Sequence, residues 1–248
     1  MTVHVDGSLG IIRFNRPERY NSFIAAQFED IQHALLELAN NDQVSVVLLT
    51  ANGKYFSSGA DLAELGSKPL DIETVLNTLI DFAKPIIVGV NGPAYGISVT
   101  MLALCDIVYA SSRATFKTPF MRLGLCAEGC SSYLFPLIMG YAKANEVLLM
   151  GRELSGMEAE RANLVSEVIP EEKFEAEVLR RAKEMASFPP QALRDTKELI
   201  RGPLRPTLKA ANHREVQCIA KRVRSDECHQ AIAGWMAERA SKKKNSKL

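Results

Sequence analysis

Two stretches of similar design decide the fold of this chain: residues 46–62, which read VVLLTANGKYFSSGADL, and residues 85–98, which read PIIVGVNGPAYGIS. Each begins with a β-branched run that predicts a buried strand, and continues through a glycine-bearing turn into an apolar segment that predicts a helix start. Such a junction leaves backbone N–H groups unpaired at the positive end of the helix dipole. We therefore expect the two junctions to converge on one carbonyl oxygen, as an oxyanion hole requires.

Further elements predicted around the junctions alternate between strands and helices from about residue 44 to residue 110. Apolar residues at helical spacing predict the helices, and short β-branched runs predict the strands. The elements outside the junctions are a hairpin over residues 3–14 that turns at Asp6-Gly7, helices over 24–39 and 72–82, and a short buried strand over 106–110. This order predicts the α/β class, with layered sheets and helices.

The last third of the chain has a helical pattern. One apolar stripe predicts a helix that ends at Pro189-Pro190, and a second stripe predicts another helix further on. The residues that mark them are Phe174, Val178, Ala182 and Met185 in the first and Val216, Ile219, Ala220 and Val223 in the second. Such helices either complete the core or cover a neighbouring subunit, and the pattern is compatible with both.

Composition and charge narrow the class of protein. The chain has 248 residues, 47% of them apolar, which suffices for one large domain with a sizeable core. A net charge of +1 without a basic stripe argues against a nucleic-acid partner. Five cysteines without a C-x-x-C pair predict reduced thiols, and four scattered histidines predict no metal site. Residues 85–105 carry no charge, but the turn Asn91-Gly92-Pro93 interrupts them, so we expect no membrane span.

Short motifs along nearly the whole chain resemble, in order and spacing, those of the crotonase (enoyl-CoA hydratase/isomerase) superfamily. They are NRP at residues 15–17, FSSGADL at 56–62, NGPAYG at 91–96, LCDIV at 104–108 and AKANE at 142–146. The resemblance implies a crotonase-like spiral of β-β-α turns over residues 1–170 and a C-terminal helical trimerisation region over 171–240. Residues 241–248 have no apolar periodicity and are predicted to be a flexible basic tail. It also implies an acyl-CoA substrate, no cofactor apart from the CoA of that substrate, and a homotrimer or hexamer.

The same resemblance assigns roles to individual residues. Ala60 and Ile97 are the implied oxyanion-hole donors, through their backbone N–H groups. The implied substrate-binding residues are Ser58, Gly59, Ala60, Asp61, Leu62, Gly96, Ile97 and Phe120. Where hydratases of this superfamily carry two glutamates, this chain has Thr100 and Phe120, so it lacks the acid–base pair that activates water.

One acid, Glu128, is the implied catalytic residue. It lies in LGLCAEGCSS, residues 123–132, which resembles the signature of peroxisomal-type 3-enoyl-CoA to 2-enoyl-CoA isomerases. A single carboxylate suits that reaction because it can take a proton from the α-carbon and return it to the γ-carbon, and an apolar pocket makes it a stronger base. On the residues alone, an acid in a surface loop or at a helix N-terminus explains Glu128 at least as well.

Two other acids near the junctions have structural interpretations. We expect Asp61 to cap the helix that follows the first junction. We expect Asp106 to anchor a turn beside a buried strand. Neither interpretation requires contact with a substrate.

Two alternatives to an isomerase stay open. One is another reaction of the superfamily at Glu128, such as dienoyl-CoA isomerisation, although that reaction usually requires more than one acid. The other is a non-catalytic module that binds acyl-CoA or a protein partner, as in relatives fused to chromodomains. The presence of Glu128 counts against this second alternative.

The chain ends in Ser246, Lys247 and Leu248, a tripeptide that matches the peroxisomal import address. It predicts binding to an import receptor and localisation in the peroxisome, or in the glycosome of organisms that have one. A chance ending of a basic tail is the simpler explanation. The independent acyl-CoA interpretation favours the targeting signal.

Overall fold

Two sheets form the centre of the computed structural model, which describes residues 1–62 and 71–245. The strands are β1 (Thr2–Asp6), β2 (Leu9–Phe14), β3 (Val46–Ala51), β4 (Ile86–Val90), β5 (Ala94–Tyr95), β6 (Ile107–Ser111), β7 (Thr115–Lys117), β8 (Leu154–Ser155) and β9 (Glu167–Ile169). The large sheet has the order β1-β2-β3-β4-β6-β9, and the small sheet has the order β5-β7-β8. In the large sheet β1 and β2 pair antiparallel, and the neighbours from β2 onward are parallel.

Helices connect the strands and cover the sheets. The α-helices are α1 (Ala25–Asn40), α2 (Ile72–Asp81), α3 (Ile97–Thr100), α4 (Ser131–Leu148), α5 (Gly156–Arg161), α6 (Glu171–Ala186), α7 (Pro190–Arg201), α8 (Arg205–Arg222) and α9 (Asp226–Asn245). Short 3-10 helices lie at Pro17–Arg19, Met101–Leu104, Met121–Leu123 and Gly202–Leu204. In the described ranges, no helix has the length and apolar character needed to cross a membrane.

Successive segments of the chain add strands to the large sheet and the small sheet in alternation, so the fold is a spiral. A turn of the spiral adds a strand to the large sheet and then one to the small sheet: β4 is followed by β5, and β6 by β7. The turn that starts with β3 contributes an isolated bridge between Ser57 and Ala94 to the small sheet. The predicted α/β class and spiral architecture are confirmed.

Two hydrophobic cores lie on opposite faces of the large sheet. Side chains of β3 alternate between them, with Val47 and Leu49 in the larger core and Val46 and Leu48 in the smaller one. α1 and α2 pack into the larger core, whereas α6 covers the smaller one. Because both faces are buried, β3 and β4 have continuous apolar sequences rather than alternating ones.

The elements predicted for the first half of the chain are found near their predicted bounds. The hairpin β1–β2 turns between Asp6 and Leu9, which lie opposite each other. The helices predicted over 24–39 and 72–82 are α1 and α2, and the strand predicted over 106–110 is β6. Local periodicity sufficed for α1 and α2 because each buries one apolar face.

Asp106 has the structural role predicted for it. Its Oδ2 accepts the N–H of Ile86 at 2.7 Å and the ammonium of Lys197 at 2.7 Å. Lys197 is the buried residue of α7. The ion pair therefore ties α7 to the start of β4.

The first predicted C-terminal helix is α6, which ends at Ala186 and buries Phe174, Val178 and Ala182 as expected. The later helices depart from the prediction. α7 begins at Pro190, the second residue of the expected stop, because proline is well accommodated in the first turn of a helix. In α8 the residues predicted to mark the apolar face are only half-buried. The buried face carries Leu208, Ala211, Asn212 and Glu215 instead. α9 continues to Asn245, past the predicted start of the tail at residue 241, and the tripeptide Ser246, Lys247 and Leu248 lies outside the described residues.

Candidate active site

The two strand–turn–helix junctions lie side by side. The amide of Phe56 donates to the carbonyl oxygen of Pro93 at 3.0 Å, and the amide of Tyr95 donates to the carbonyl oxygen of Ser57 at 2.9 Å. A Cβ atom on Gly59 would lie 2.4 Å from the carbonyl oxygen of Tyr95. The first junction therefore needs a glycine at this position so that the second can approach it.

The amides of Ala60 and Ile97 are available for a ligand. Each follows a glycine with a left-handed backbone, at φ of 78° for Gly59 and 58° for Gly96. Ile97 is the first residue of α3, where an N–H has no partner inside the helix. Neither amide donates a hydrogen bond to any other described residue. These features suit both amides to the predicted role of oxyanion donors.

Glu128 is buried beside the second junction. The residue is 6% exposed, and the hydroxyl of Thr100 donates to its Oε1 at 2.8 Å. Its Oε2 is buried and has no hydrogen-bond partner among the described residues. Burial raises the pKa of Glu128 from 4.5 to about 8, the bond from Thr100 opposes that rise, and the charge of Glu215 adds to it. The site therefore holds a carboxyl group of increased basicity with one unpaired oxygen.

The short helix α3 connects this carboxyl group to the second junction. It begins at Ile97 and ends at Thr100, so the Thr100 side chain lies about one turn from the free amide. Gly129 packs against the same threonine, since a Cβ there would lie 2.4 Å from the Thr100 Oγ1. One helical turn thus holds the predicted oxyanion donor at its start and the partner of Glu128 at its end.

The loop that carries Glu128 is fastened to α8. Glu215 accepts the amide of Cys130 at 2.6 Å through Oε2 and the amide of Ser132 at 2.9 Å through Oε1. The thiol of Cys130 donates to the carbonyl oxygen of Leu208 at 3.3 Å. Burial raises the pKa of this thiol to about 12. Cys130 is therefore a neutral structural group rather than a thiolate nucleophile.

The remaining predicted substrate-binding residues surround the first junction or lie in the core. Ser58 and Leu62 are half-buried. Asp61 accepts the hydroxyl of Ser22 at 3.2 Å, and the helix that it is expected to cap would fall outside the described residues. Phe120 is 4% exposed and packs into the larger core. The structure thus brings the first junction, the second junction and Glu128 together, and it places Phe120 in the larger core.

Sequence reasoning missed three residues that shape this site: Thr100, Ser57 and Glu215. It treated Thr100 only as the absence of a glutamate, although its hydroxyl binds the carboxyl group. The hydroxyl of Ser57 accepts the amide of Gly59 at 3.1 Å and so fixes the first junction. A signal for Glu215 was present in the sequence, because it shares a face of α8 with Leu208 and Ala211 at helical spacing.

A cavity of about 240 Å³ lies away from these residues, between the ends of the large sheet and α6. None of the predicted site residues lines it. Its two arginines are neutralised: Arg13 pairs with Glu175 at 3.0 Å, and Arg113 pairs with Glu171 at 3.0 Å. The described residues contain no group of three or more His, Cys, Asp or Glu side chains that could hold a metal ion. The chemistry of the candidate site rests on Glu128 and the two amides.

Comparison with known proteins places the chain in a family. A family model described as enoyl-CoA hydratase/isomerase matches residues 4–245. The chain therefore belongs to the enoyl-CoA hydratase/isomerase family. It is also similar to the crystal structure of an enoyl-CoA hydratase/isomerase from Pseudoalteromonas atlantica T6c, with 36% sequence identity, a TM-score of 0.92 and coverage of 96% of both chains.

Similarity to curated proteins refines this comparison. The chain is 43% identical to enoyl-CoA delta isomerase 2 of Rattus norvegicus, over 94% of this chain and 62% of that protein. It is 41% identical to peroxisomal enoyl-CoA delta isomerase 3 of Mus musculus, over 94% of this chain and 76% of that protein. It is 39% identical to the Chromodomain Y-like protein of Homo sapiens, over 87% of this chain and 38% of that protein. The chain thus spans less than two thirds of the rat relative's length.

Proposed function

We propose that this chain is an isomerase that converts 3-enoyl-CoA to 2-trans-enoyl-CoA in the β-oxidation of unsaturated fatty acids. The observation that carries the proposal is Glu128, a buried carboxyl group with a raised pKa and one unpaired oxygen beside two free amides. Relatives that are named enoyl-CoA delta isomerases, at 43% and 41% identity, support it.

The proposed mechanism moves one proton. The thioester oxygen of the substrate accepts the N–H groups of Ala60 and Ile97. Glu128 removes a proton from the α-carbon, and the electrons of that C–H bond give a dienolate whose charge gathers on the thioester oxygen. Glu128 then returns the proton to the γ-carbon, so that the double bond shifts towards the thioester and no atom is gained or lost. One oxyanion donor is worth about 3–4 kcal/mol in a characterised enzyme.

The neighbours of Glu128 favour isomerisation over hydration. Thr100 occupies the position of one hydratase glutamate, and its hydroxyl is engaged by the carboxyl group at 2.8 Å. Phe120 occupies the position of the other, where it packs in the core and has no acid–base group. A single carboxyl group suffices for a proton shift, whereas the addition of water requires a second acid–base group.

The decisive experiment compares the wild type with Glu128→Gln. The variant keeps the shape of the side chain but cannot accept a proton, so we expect 3-enoyl-CoA isomerisation to fall by about 10²- to 10⁴-fold. Acyl-CoA binding, measured by calorimetry, should persist. The exposed Glu172→Gln on α6 is the matched control and should isomerise at the wild-type rate. Turnover of Glu128→Gln within a few-fold of the wild type would show that the base is misassigned.

A second assay separates the isomerase from a hydratase. With 2-enoyl-CoA as substrate, we expect hydration to 3-hydroxyacyl-CoA to be at least about a hundredfold slower than isomerisation of 3-enoyl-CoA. Similar rates for the two reactions would refute this assignment.

The alternatives receive less support from the site. Dienoyl-CoA isomerisation calls for a second acid, and both carboxylate oxygens of Glu215 already accept backbone amides. Similarity to a chromodomain protein is the reason to consider a non-catalytic module. Binding of acyl-CoA by the wild type without any isomerisation would favour that module.

We propose the peroxisome, or the glycosome where one exists, as the site of action. The support is the terminal tripeptide Ser246, Lys247 and Leu248, together with the peroxisomal relative from Mus musculus. Deletion of the tripeptide should abolish import, followed by microscopy, and leave isomerase activity intact. Unchanged import would mean that the tail is not the signal, or that the protein enters with another tagged subunit.

A further inference from the structure

We infer that Glu215 is a positioning residue, which holds the loop around residue 129 so that the carboxyl group of Glu128 faces the second junction. Only the kinetic consequence of this inference rests on the proposed function. The placement of Glu128 by Glu215 stands on contacts within the chain.

The start of α4 receives hydrogen-bond acceptors from Glu215. Cys130 precedes the helix as its cap residue, but its side chain makes no capping bond, because its thiol donates to Leu208 instead. Glu215 supplies the missing acceptors from α8: its two oxygens bind the amides of Cys130 and Ser132 at 2.6 and 2.9 Å. Unpaired amides at the N-terminus of a helix favour a carboxylate. Glu215 is 5% exposed, so water cannot readily replace it.

The backbone of the loop has an unfavourable conformation at Cys130. Gly129 and Cys130 both have left-handed conformations, at φ of 69° and 61°. A left-handed backbone costs a non-glycine residue about 1–2 kcal/mol, so contacts must hold Cys130 in this state. The hydroxyl of Ser131 donates to the carbonyl oxygen of Glu128 at 2.6 Å and links the loop to the helix start. Without Glu215 we expect this turn to relax and to displace Glu128.

Charge also links Glu215 to Glu128. Glu215 acts electrostatically on Glu128, Glu128 acts on the thiol of Cys130, and Arg214 acts on Glu215. Burial raises the pKa of Glu215 itself, and in its ionised form the charge of Glu215 raises the pKa of the Glu128 carboxyl group. Loss of the charge should therefore lower the pKa of Glu128. This effect of charge does not require that Glu215 hold the loop, so the positioning role requires a loss of kcat as well as a lower pKa.

The experiment uses Glu215→Gln, Glu215→Ala and the control Glu172→Gln. Glu215→Gln keeps one acceptor oxygen and loses the charge, whereas Glu215→Ala loses both. We expect kcat for 3-enoyl-CoA to fall by about 10- to 100-fold in Glu215→Ala and by less in Glu215→Gln. KM should change by less than about threefold in both, because the amides of Ala60 and Ile97 are untouched.

A spectroscopic titration provides a readout that does not depend on activity. The infrared band of the protonated Glu128 carboxyl group is identified by its loss in Glu128→Gln. In both Glu215 variants we expect its titration midpoint to lie at least about half a pH unit below that of the wild type. Glu172→Gln should leave it unchanged.

The outcomes separate the two proposals. A lower midpoint together with reduced kcat supports the positioning role. An unchanged midpoint overturns it, whether or not kcat falls, because Glu215 would then only stabilise the fold. A wild type without isomerase activity but with a midpoint that depends on Glu215 would refute the proposed function and leave the link between the two glutamates intact.

Discussion

The buried position of Glu128 suits a catalytic base but lowers the stability of the folded state. The carboxyl group is buried, its Oε2 has no partner in the described structure, and its charged form receives one bond, from Thr100. Desolvation therefore favours the protonated form and raises its pKa to about 8. A desolvation cost of this kind is typical of groups that are retained for catalysis at the expense of stability.

The stability of Glu128→Gln should depend on pH relative to the wild type. The folded wild type holds the Glu128 proton up to about pH 8, whereas the unfolded chain releases it near 4.5. The folded state thus binds more protons between these values, so wild-type stability falls as pH rises, by at most about 1.4 kcal/mol per pH unit. Glutamine does not titrate. Denaturant unfolding should show the variant gaining relative stability from about pH 5 to about pH 8, and a constant difference would contradict the burial of a titrating Glu128.

Thr100 should tune the pH dependence of the reaction. Its hydroxyl favours the ionised form of Glu128 and so lowers the pKa of that group. Because the base must be unprotonated, kcat/KM of the wild type should rise with pH and reach half its maximum near pH 8. In Thr100→Val this midpoint should move up by about one pH unit, whereas Thr100→Ser keeps the hydroxyl and should resemble the wild type. Identical pH profiles for the three proteins would exclude the role of this hydrogen bond.

At the scale of an element, the four-residue helix α3 carries both the free amide of Ile97 and the hydroxyl of Thr100. It is too short to be stable alone, and the contacts that fix it come from its neighbours. The hydroxyl of Ser98 donates to the carbonyl oxygen of Ser57 at 3.0 Å, which joins α3 to the first junction. The helix start that carries the free Ile97 amide is thereby tied to the first junction.

Removal of one amide tests the oxyanion hole, and the fold must be checked because the Ile97 side chain lies in the larger core. Ile97 is the first residue of α3, a position at which proline is well accommodated. Ile97→Pro deletes the N–H donor, so we expect kcat to fall by about 10²- to 10³-fold. Ile97→Val keeps the amide and is the matched control.

Ala60→Pro tests the first junction in the same way, although the change also affects a turn. Its matched control is Ala60→Gly, which retains the amide. Folded proline variants at both positions, verified by circular dichroism, with wild-type turnover would show that these amides do not hold the oxyanion.

At the scale of the whole molecule, large apolar side chains are left on the surface. Leu199 and Ile200 of α7 are 80% and 64% exposed, and Tyr141 of α4 and Met150 are 76% and 81% exposed. Exposed apolar clusters mark surfaces that bind a partner. Leu199 and Ile200 lie in the region 171–240, which was expected to form subunit contacts. Tyr141 and Met150 lie before that region.

We expect the purified chain to be a trimer or a hexamer at micromolar concentration. Leu199→Glu combined with Ile200→Glu places charges on the α7 surface and should shift light scattering towards smaller species. Gln43→Glu, at an exposed polar position, should leave the size unchanged. A wild type that scatters as a stable monomer would contradict the predicted assembly.

The sequence by itself determined the buried strands and the two junctions of this protein. Runs such as residues 46–51 and 86–90 specify buried strands, because a strand buried on both faces needs only local apolar character. Gly59 and Gly96 specify the two junctions, because few other residues adopt their backbone conformations. Family motifs then singled out Glu128, which its local sequence alone did not distinguish from a surface acid.

Only the tertiary structure decided the environment of that acid. The bond from Thr100 to Glu128 joins residues 28 positions apart, and the bond from the Cys130 amide to Glu215 joins residues 85 positions apart. No local period encodes such pairs, since they arise when separate elements pack together. Burial raised the pKa of Glu128 for the same reason: desolvation is a property of everything that surrounds the carboxyl group, and the spiral brings those surroundings together from distant parts of the chain.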